Sequence, residues 1–123
     1  MDFKHKSIRD SFLSSIEGLK HTLQIGRNIK IIIVSAIFVL MLSLILKVNY
    51  LEFCIIAIIV TIIFIFEVFN TLIEDLIDLN NKEYNPKIKA IKDISSSTVL
   101  IACITSVIIG GFIFIPKIIN LFN

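Results

Sequence analysis

Three long apolar runs, separated by short polar segments, restrict this chain to folds that place helices inside a membrane. The runs are Ile31–Leu46, Phe53–Phe66 and Thr98–Ile115. A transmembrane helix needs about 20 mostly apolar residues. The first run reaches that length when Ile29 and Lys30 are counted, because a lysine ammonium can extend back to the lipid headgroups.

The second run is the unusual one, because Glu67 interrupts it after 14 residues. It can cross a bilayer only if the helix continues through that carboxylate, which then lies at or inside the membrane boundary. The third run is followed by Pro116, where we expect the helix to end, since proline lacks the N–H of an interior helical position. We therefore predict one all-α integral membrane domain over residues 1–123, with an amphipathic helix over 1–28 and transmembrane helices over about 29–47, 51–78 and 94–116.

The composition agrees with an integral membrane protein and argues against an ordinary soluble domain. Of the 123 residues, 56% are hydrophobic and only 18% are charged. The net charge of +2 gives no basis for a nucleic-acid partner, so the lysines matter by position rather than by number. Cys54 and Cys103 each lie in an apolar run without C-x-x-C spacing, which favours small packing residues over a metal or redox site.

The N-terminal segment has the pattern of an amphipathic helix. Its apolar residues recur at helical spacing, and they are Ile8, Phe12, Ile16, Leu19 and Leu23. Lysines and arginines lie between them, so the helix can lie along a membrane surface. Alternatively, the helix can pack on the cytoplasmic end of the protein itself, and it can do so while it also lies on the membrane surface. The segment has no apolar core of signal-peptide type, and we expect it to stay attached.

Positive charge is distributed unevenly between the two sides of the predicted membrane domain. Six of the twelve lysines and arginines precede the first apolar run, and four lie between Asn80 and Lys92. The 47–52 break and the C-terminal tail hold one each. Because lysine and arginine accumulate in cytoplasmic loops, we expect the N-terminus and the 79–93 loop to be cytoplasmic and the C-terminus to be outside.

One face of the second predicted span carries three carboxylates and an amide, which we call the carboxylate stripe: Glu67, Asn70, Glu74 and Asp78. At about 100° per residue, this spacing places all four within an arc of roughly 80°. An ionised side chain at the centre of a membrane helix costs about 2.5–3.5 kcal/mol, so such groups face a protein interior, a polar cavity or a cation. The stripe therefore indicates a functional site.

The lysine-rich segment after the stripe supplies complementary charge. Carboxylates bind hard cations such as Mg²⁺ and lysines bind phosphate oxygens, so the combination suits a magnesium-bound nucleotide. The alternative is that Glu74 and Asp78 are solvated residues at a helix end, paired with loop lysines. This alternative is weaker for Glu67, which lies deeper in the apolar run. A glycine-rich phosphate loop is absent from the sequence, because its only glycines are Gly18, Gly26, Gly110 and Gly111.

The residues from the carboxylate stripe onward resemble the signature of the prokaryotic diacylglycerol kinase family. The matching motifs are E-x-x-N-x-x-x-E-x-x-x-D from Glu67 to Asp78, E-Y-N-P from Glu83 to Pro86, and K-D-I-S-S-S-T-V-L from Lys92 to Leu100. The match is ungapped from the second span through the third. Upstream, S-F-L-S-S-I-E-G-L-K and R-N-I-K-I resemble the Gram-positive branch, whose members act mainly as undecaprenol kinases.

The resemblance implies a homotrimeric membrane kinase that transfers the γ-phosphoryl group of MgATP to a lipid hydroxyl, with sites shared between neighbouring subunits. Undecaprenol is the acceptor it favours, and diacylglycerol is the alternative. By position it assigns Glu67 as the general base and Glu74 as the Mg²⁺ ligand, while Asn70 and Asp78 shape the site. The ATP-binding residues it implies are Glu74, Glu83, Tyr84, Asn85, Lys92 and Asp93.

Five positions depart from the family pattern. The family's second metal-binding glutamate falls at Gly26, and the histidine common after R-N-x-[RK]-I is Ile32. The small alanines usual after the K-D pair are Ser95, Ser96 and Ser97.

The absence of a carboxylate at Gly26 bears on metal binding. Glu74 would have to hold Mg²⁺ with phosphates, water and a nearby carboxylate such as Glu17 or Asp78, because Mg²⁺ takes about six oxygen ligands. We therefore expect metal dependence to be weak, and we expect Gly26→Glu to lower the Mg²⁺ concentration needed for half-maximal activity. Because glutamate favours helices more than glycine does, we also expect the fold to tolerate that substitution.

Two other functions are compatible with the pattern. A three-span transporter or channel subunit also places carboxylates on one helix face, and it would conduct ions without consuming ATP. A catalytically silent relative, kept as a membrane scaffold, would explain Gly26 and would form a folded trimer without turnover.

Overall fold

The computed structural model describes residues 7–24 and 26–123 as helices joined by short connections. The helices are α1 (Ile8–Gln24), α2 (Arg27–Ile45), α3 (Tyr50–Asn80) and α4 (Pro86–Leu121). The described residues form no strand, so the all-α prediction is confirmed. Helices α2, α3 and α4 are each long and apolar enough to cross a membrane. Residues 1–6 and 25, which the predicted N-terminal helix includes, lie outside the described residues.

Helix α1 directs its apolar face away from the rest of the chain. The N–H of Asp10 donates to Ser7 Oγ at 3.1 Å, and the N–H of Ser7 donates to Asp10 Oδ2 at 3.3 Å, which caps the start of the helix. Large apolar side chains such as Phe12 and Leu19 are exposed, and the described chain buries no residue of α1. The apolar face of α1 is therefore accessible to a membrane surface.

A turn at Gly26 separates α1 from α2. Gly26 has φ +62° and ψ 161°, a backbone region that residues with a Cβ rarely adopt. Helix α2 begins only at Arg27. The expectation that helix propensity makes Gly26→Glu tolerable is therefore wrong, because position 26 is not helical.

Helix α3 continues through Glu67 without a break, as its crossing of a membrane requires. Helix α4 runs antiparallel to it, and an ion pair joins the two helices near each end. Lys92 Nζ lies 2.5 Å from Asp78 Oδ1, and Lys117 Nζ lies 2.9 Å from Glu52 Oε2. These two pairs fix the register in which the helices face each other.

Helix α4 extends beyond both of its predicted ends. Asn85 caps its start, since the N–H of Lys87 donates to Asn85 Oδ1 at 2.9 Å, and Pro86 occupies the first turn. The lysines expected in a loop therefore lie mostly on this helix. The helix also passes through Pro116 to Leu121, so the predicted end at Pro116 is wrong. Membrane helices tolerate proline because neighbouring groups or local adjustment satisfy the carbonyl it leaves free.

Candidate functional site

The carboxylate stripe lies on the face of α3 that the rest of the chain covers. Glu67 is 4% exposed and Asn70 is 7% exposed. Glu74 is half-buried, and Asp78 is exposed. Burial therefore decreases along the stripe, from the apolar middle of the helix toward the end that we expect to be cytoplasmic.

The Glu67 carboxylate has no protein partner among the described side chains. Only its backbone carbonyl is engaged, accepting from Thr71 Oγ1 at 3.0 Å. The ion pairs of the described chain involve Asp78, Asp93 and Glu52 instead. A buried ionised carboxylate is costly without a compensating group. The position therefore fits a carboxylate that takes a proton or meets a ligand from outside the chain.

Asn70 lies between Glu67 and Glu74 along the stripe and contacts the more exposed of the two. Its Nδ2 donates to Glu74 Oε1 at 3.4 Å, which helps to orient that carboxylate. Its Oδ1 is buried and has no hydrogen-bond partner in the described chain. Leaving such an acceptor unsatisfied costs about 1–3 kcal/mol. This orphan oxygen supports a ligand that supplies a donor or a cation here.

The donor set of the stripe suits a hard cation in chemistry but is incomplete in number. Glu74 and Asn70 offer carboxylate and amide oxygens, which are the ligands that Mg²⁺ prefers. Within the described ranges, no group of three or more His, Cys, Asp or Glu side chains is placed to hold a metal ion. Mg²⁺ commonly takes its other ligands from phosphates and water, so the residues fit a metal that arrives with a nucleotide.

Lys92 brings positive charge to the outer part of the stripe. Its hydrogen bond to Asp78 raises the pKa of the Lys92 amine above its usual range, because that bond favours the charged form. Glu74 acts electrostatically in the same direction. The ion pair of Asp78 with Lys92 agrees with the alternative in which Asp78 is a solvated residue at a helix end, paired with a lysine. The result is a lysine held cationic next to two carboxylates, at the exposed end of the stripe.

The other predicted ATP-binding residues lie just before and within the first turns of α4. Glu83 and Tyr84 are exposed in the connection between α3 and α4. Asn85 uses its side-chain oxygen as a helix cap, and Asp93 Oδ2 lies 2.6 Å from Lys89 Nζ. The described chain therefore joins Lys92 to the stripe, while these four residues make no hydrogen bond or ion pair with it.

The register of α3 and α4 identifies two small residues opposite the stripe. The two interhelical ion pairs place Glu67 level with Ala102 and Cys103, and Glu74 level with Ser95 and Ser96. Ala102 and Ser95 are both buried, and small side chains allow helices in membranes to approach closely. Sequence reasoning treated Ser95 only as a departure from a pattern. Ser95 follows Lys92 by three residues, and this spacing would have predicted that both lie on the same face of α4.

The sequence is similar to proteins of one known family. The family model described as prokaryotic diacylglycerol kinase matches residues 13–114. The chain is 32% identical to undecaprenol kinase of Bacillus subtilis (strain 168) over 108 residues, which cover 88% of each protein. It is 27% identical to diacylglycerol kinase of a Synechocystis species over 112 residues, which cover 90% of this chain but only 64% of that relative. No solved structure gives a significant match.

Proposed function

Because this chain belongs to the prokaryotic diacylglycerol kinase family, we propose that it transfers the γ-phosphoryl group of ATP to the hydroxyl of a membrane lipid. The observation that carries the proposal is Glu67, a carboxylate that is buried on a membrane-spanning helix and has no partner in the described chain. A lipid hydroxyl is a group that can reach a carboxylate at that depth. The fit of this residue to a general base supports lipid phosphorylation over ion conduction.

In this mechanism Glu67 takes the proton of the lipid hydroxyl while the hydroxyl oxygen attacks the γ-phosphorus. The bond between the γ-phosphorus and the oxygen that leaves with ADP then breaks. Phosphoryl transfer depends mainly on positioning and on neutralising phosphate charge. Lys92 supplies positive charge at the outer part of the stripe. Glu74 would hold Mg²⁺ with Asn70 Oδ1 as a second oxygen donor, and the metal would neutralise part of the phosphate charge when bound.

We propose undecaprenol as the acceptor, with diacylglycerol as the alternative. The support is the relative named undecaprenol kinase, which matches this chain with higher identity and over a larger share of its own length than the relative named diacylglycerol kinase. We also propose a homotrimer, with the N-terminus and the 79–93 segment in the cytoplasm and the C-terminus outside. In that orientation the exposed part of the stripe faces the compartment that contains ATP.

A catalytically weakened member of the family is the second candidate, and Gly26 is the observation that favours it. This position, where the family pattern has a metal-binding glutamate, is a glycine in a turn that residues with a Cβ rarely adopt. Such a protein would fold and bind ATP but would transfer phosphate slowly.

The experiment that decides between these candidates is a lipid phosphorylation assay. The purified chain is placed in nanodiscs that contain equal amounts of undecaprenol and diacylglycerol, with γ-labelled MgATP, and the lipids are separated. We expect label mainly in undecaprenyl phosphate. Preference for diacylglycerol would reassign the acceptor. Folded protein that binds ATP but labels neither lipid would contradict kinase activity and support the weakened relative.

A further inference from the structure

One buried serine of α4 has a hydroxyl that makes no hydrogen bond in the described chain. The polar or charged residues that this part of the chain buries are Ser43, Glu67, Asn70 and Ser95. The Ser43 hydroxyl donates to the carbonyl of Val39 at 2.8 Å. The Ser95 hydroxyl makes no such bond among the described residues. Ser95 therefore joins Glu67 and Asn70 as a buried residue with a polar group that the described chain leaves unpaired.

The neighbours of Ser95 show that its unpaired hydroxyl is a property of its position. Ser96, Ser97 and Thr98 each donate a side-chain hydrogen bond to the carbonyl three residues earlier, at distances of 2.6–3.0 Å. Helical serines and threonines often bond to the preceding turn in this way. Ser95 is the one of these four that is buried. The hydroxyl that is left available is thus the one on the covered side of α4.

The helix that covers Ser95 is α3, because α4 packs mainly against α3. Helix α2 does not reach this level. Its first residue, Arg27, is level with about residue 68 of α3 when both helices are counted from the 46–49 connection. Of the two α4 residues level with Glu74, Ser95 is buried and Ser96 is exposed. Ser95 therefore lies opposite the part of α3 that carries Glu74.

We propose that the Ser95 hydroxyl is a further oxygen ligand of the Mg²⁺ that Glu74 would hold, in place of the carboxylate that is missing at Gly26. The inference rests on the proposed function and adds a ligand to it. The Glu74 carboxylate and the unpaired Asn70 Oδ1 both offer lone pairs and no proton, which suits a hard cation. Serine hydroxyls also bind Mg²⁺ at nucleotide phosphates. Ser95 supplies such an oxygen from the opposite helix.

The carboxylates that could otherwise complete the metal site are engaged or lie on another element. Asp78 is paired with Lys92. Glu17 lies on α1, whose main contact is α2. A site of one carboxylate and two neutral oxygens cancels only half of the charge of Mg²⁺. The phosphates of ATP supply the remaining negative charge, so the metal should bind firmly only together with the nucleotide.

A change of ligand softness tests this assignment without turnover. Ser95→Cys replaces a hard oxygen by a sulfur, which prefers Cd²⁺ to Mg²⁺. The matched control is Ser97→Cys, which adds a thiol about 200° away around α4. Ultraviolet difference absorption is recorded as Cd²⁺ is added with a non-hydrolysable ATP analogue. We expect a cadmium–thiolate band for Ser95→Cys that exceeds the signal of the control and of the unsubstituted protein, which share Cys54 and Cys103.

A second pair of variants tests the native metal. Ser95→Ala should raise the free Mg²⁺ needed for half-maximal lipid phosphorylation about tenfold, since loss of a group that orients a metal site costs at least that much in affinity. KM for the lipid should stay within twofold of the unsubstituted protein. Ser97→Ala should leave both values unchanged. Folding of each variant is checked by size-exclusion elution.

Two results would overturn the inference. The first is a Ser95→Cys protein that elutes as folded and gives no more cadmium–thiolate absorption than Ser97→Cys. The second is a folded Ser95→Ala protein with an unchanged magnesium response, which would mean that Ser95 serves only packing or a hydrogen bond to Asn70. Failure of the proposed function is different, because the unsubstituted protein would then phosphorylate no lipid, whereas the cadmium measurement would still report on position 95.

Discussion

Gly26 shows how a single backbone conformation limits what a substitution can do. Its φ of +62° lies where side chains with a Cβ are strained, at a cost of about 1–3 kcal/mol. In the described part of the chain, no atom outside its immediate neighbours lies within 4 Å of a Cβ added there, so the cost is conformational rather than steric. We expect Gly26→Glu and Gly26→Ala to lower the free energy of unfolding by similar amounts.

The same two variants separate backbone strain from the effect of a carboxylate. If position 26 faces the metal, Gly26→Glu should need less free Mg²⁺ for half-maximal lipid phosphorylation than Gly26→Ala does. The measurement is initial rate against free Mg²⁺, at equal amounts of folded protein. An identical magnesium response in both variants would remove position 26 from the metal site and would contradict the alignment of the N-terminal segment with the family pattern.

At the residue scale, the sequence predicted that Glu67 and Asn70 share one face of α3 but not the conformation of Gly26. Glu67 and Asn70 share one face of α3 because helical periodicity alone places them there. Glycine is compatible both with a helix and with a turn of positive φ, so its type does not reveal which one it adopts. The unpartnered Asn70 Oδ1 was also unpredictable, because it depends on which side chains of other helices come near.

At the scale of helices, Lys92 and Lys89 form a matched pair for testing the phosphate contact. Both lie on α4 and both are paired with a carboxylate, but only Lys92 reaches the stripe. We expect Lys92→Met to raise KM for ATP about tenfold, because the variant removes a cation that can form a charge-assisted hydrogen bond with a phosphate oxygen. Lys89→Met should change KM less than twofold. Equal effects in the two variants would show that Lys92 acts only through general surface charge.

The opposite ends of α3 and α4 are held together by a contact that has no expected catalytic role. Glu52 Oε2 accepts from the N–H of Asn49 at 3.0 Å, and Lys117 Nζ lies 2.9 Å from the same oxygen. Glu52 therefore takes part in both a capping box and an interhelical ion pair. The contact clamps the end of the helix pair that is remote from Lys92.

We predict that Lys117→Met lowers the free energy of unfolding, because it removes the ion pair between α3 and α4. Glu52→Ala should lower it more, because that change also removes the carboxylate of the capping box. Denaturant titration in mixed micelles and a double-mutant cycle give the coupling between them. Neither variant should change KM for ATP. Strictly additive effects would show that the ion pair does not contribute.

Among the helices, α3 was predicted well and α4 was not. Continuity of α3 through Glu67 followed from length, since its apolar run is too short to cross a membrane alone. The start of α4 at Pro86 depends on a cap by Asn85, and its passage through Pro116 depends on the surroundings of that proline. Neither is fixed by apolar patterning. The Glu52 and Lys117 contact joins residues far apart in sequence, so local patterns cannot predict it.

The whole molecule exposes more surface than a soluble protein of its size. Its accessible surface is 9,857 Å² at a mass of 13.9 kDa, whereas a folded soluble monomer of that mass exposes about 6,700 Å². Much of this surface belongs to the apolar side chains of α2, α3 and α4. Lipid covers such side chains, and in the trimer that the family resemblance implies, neighbouring subunits cover part of them.

We therefore expect the protein to run as a homotrimer in nanodiscs and to give a crosslinked product of three chains. The measurement is mass analysis of the protein after mild crosslinking at low protein-to-lipid ratio, where chance encounters are rare. The matched condition is the same sample unfolded in denaturing detergent before crosslinking, which should yield monomer only. A purely monomeric product in the native sample would contradict the trimer.

We propose that the buried carboxylate of Glu67 accepts the proton of the lipid hydroxyl. Glu67→Gln keeps the shape of the side chain but cannot act as a base, and Asp75→Asn on the exposed face of α3 is the matched control. The measurement is the single-turnover rate of transfer from γ-labelled MgATP to undecaprenol, with ATP binding measured in parallel. We expect Glu67→Gln to be slower by about 10²- to 10⁴-fold with ATP affinity retained, and Asp75→Asn to be unchanged. A near-normal rate in folded Glu67→Gln would contradict the claim.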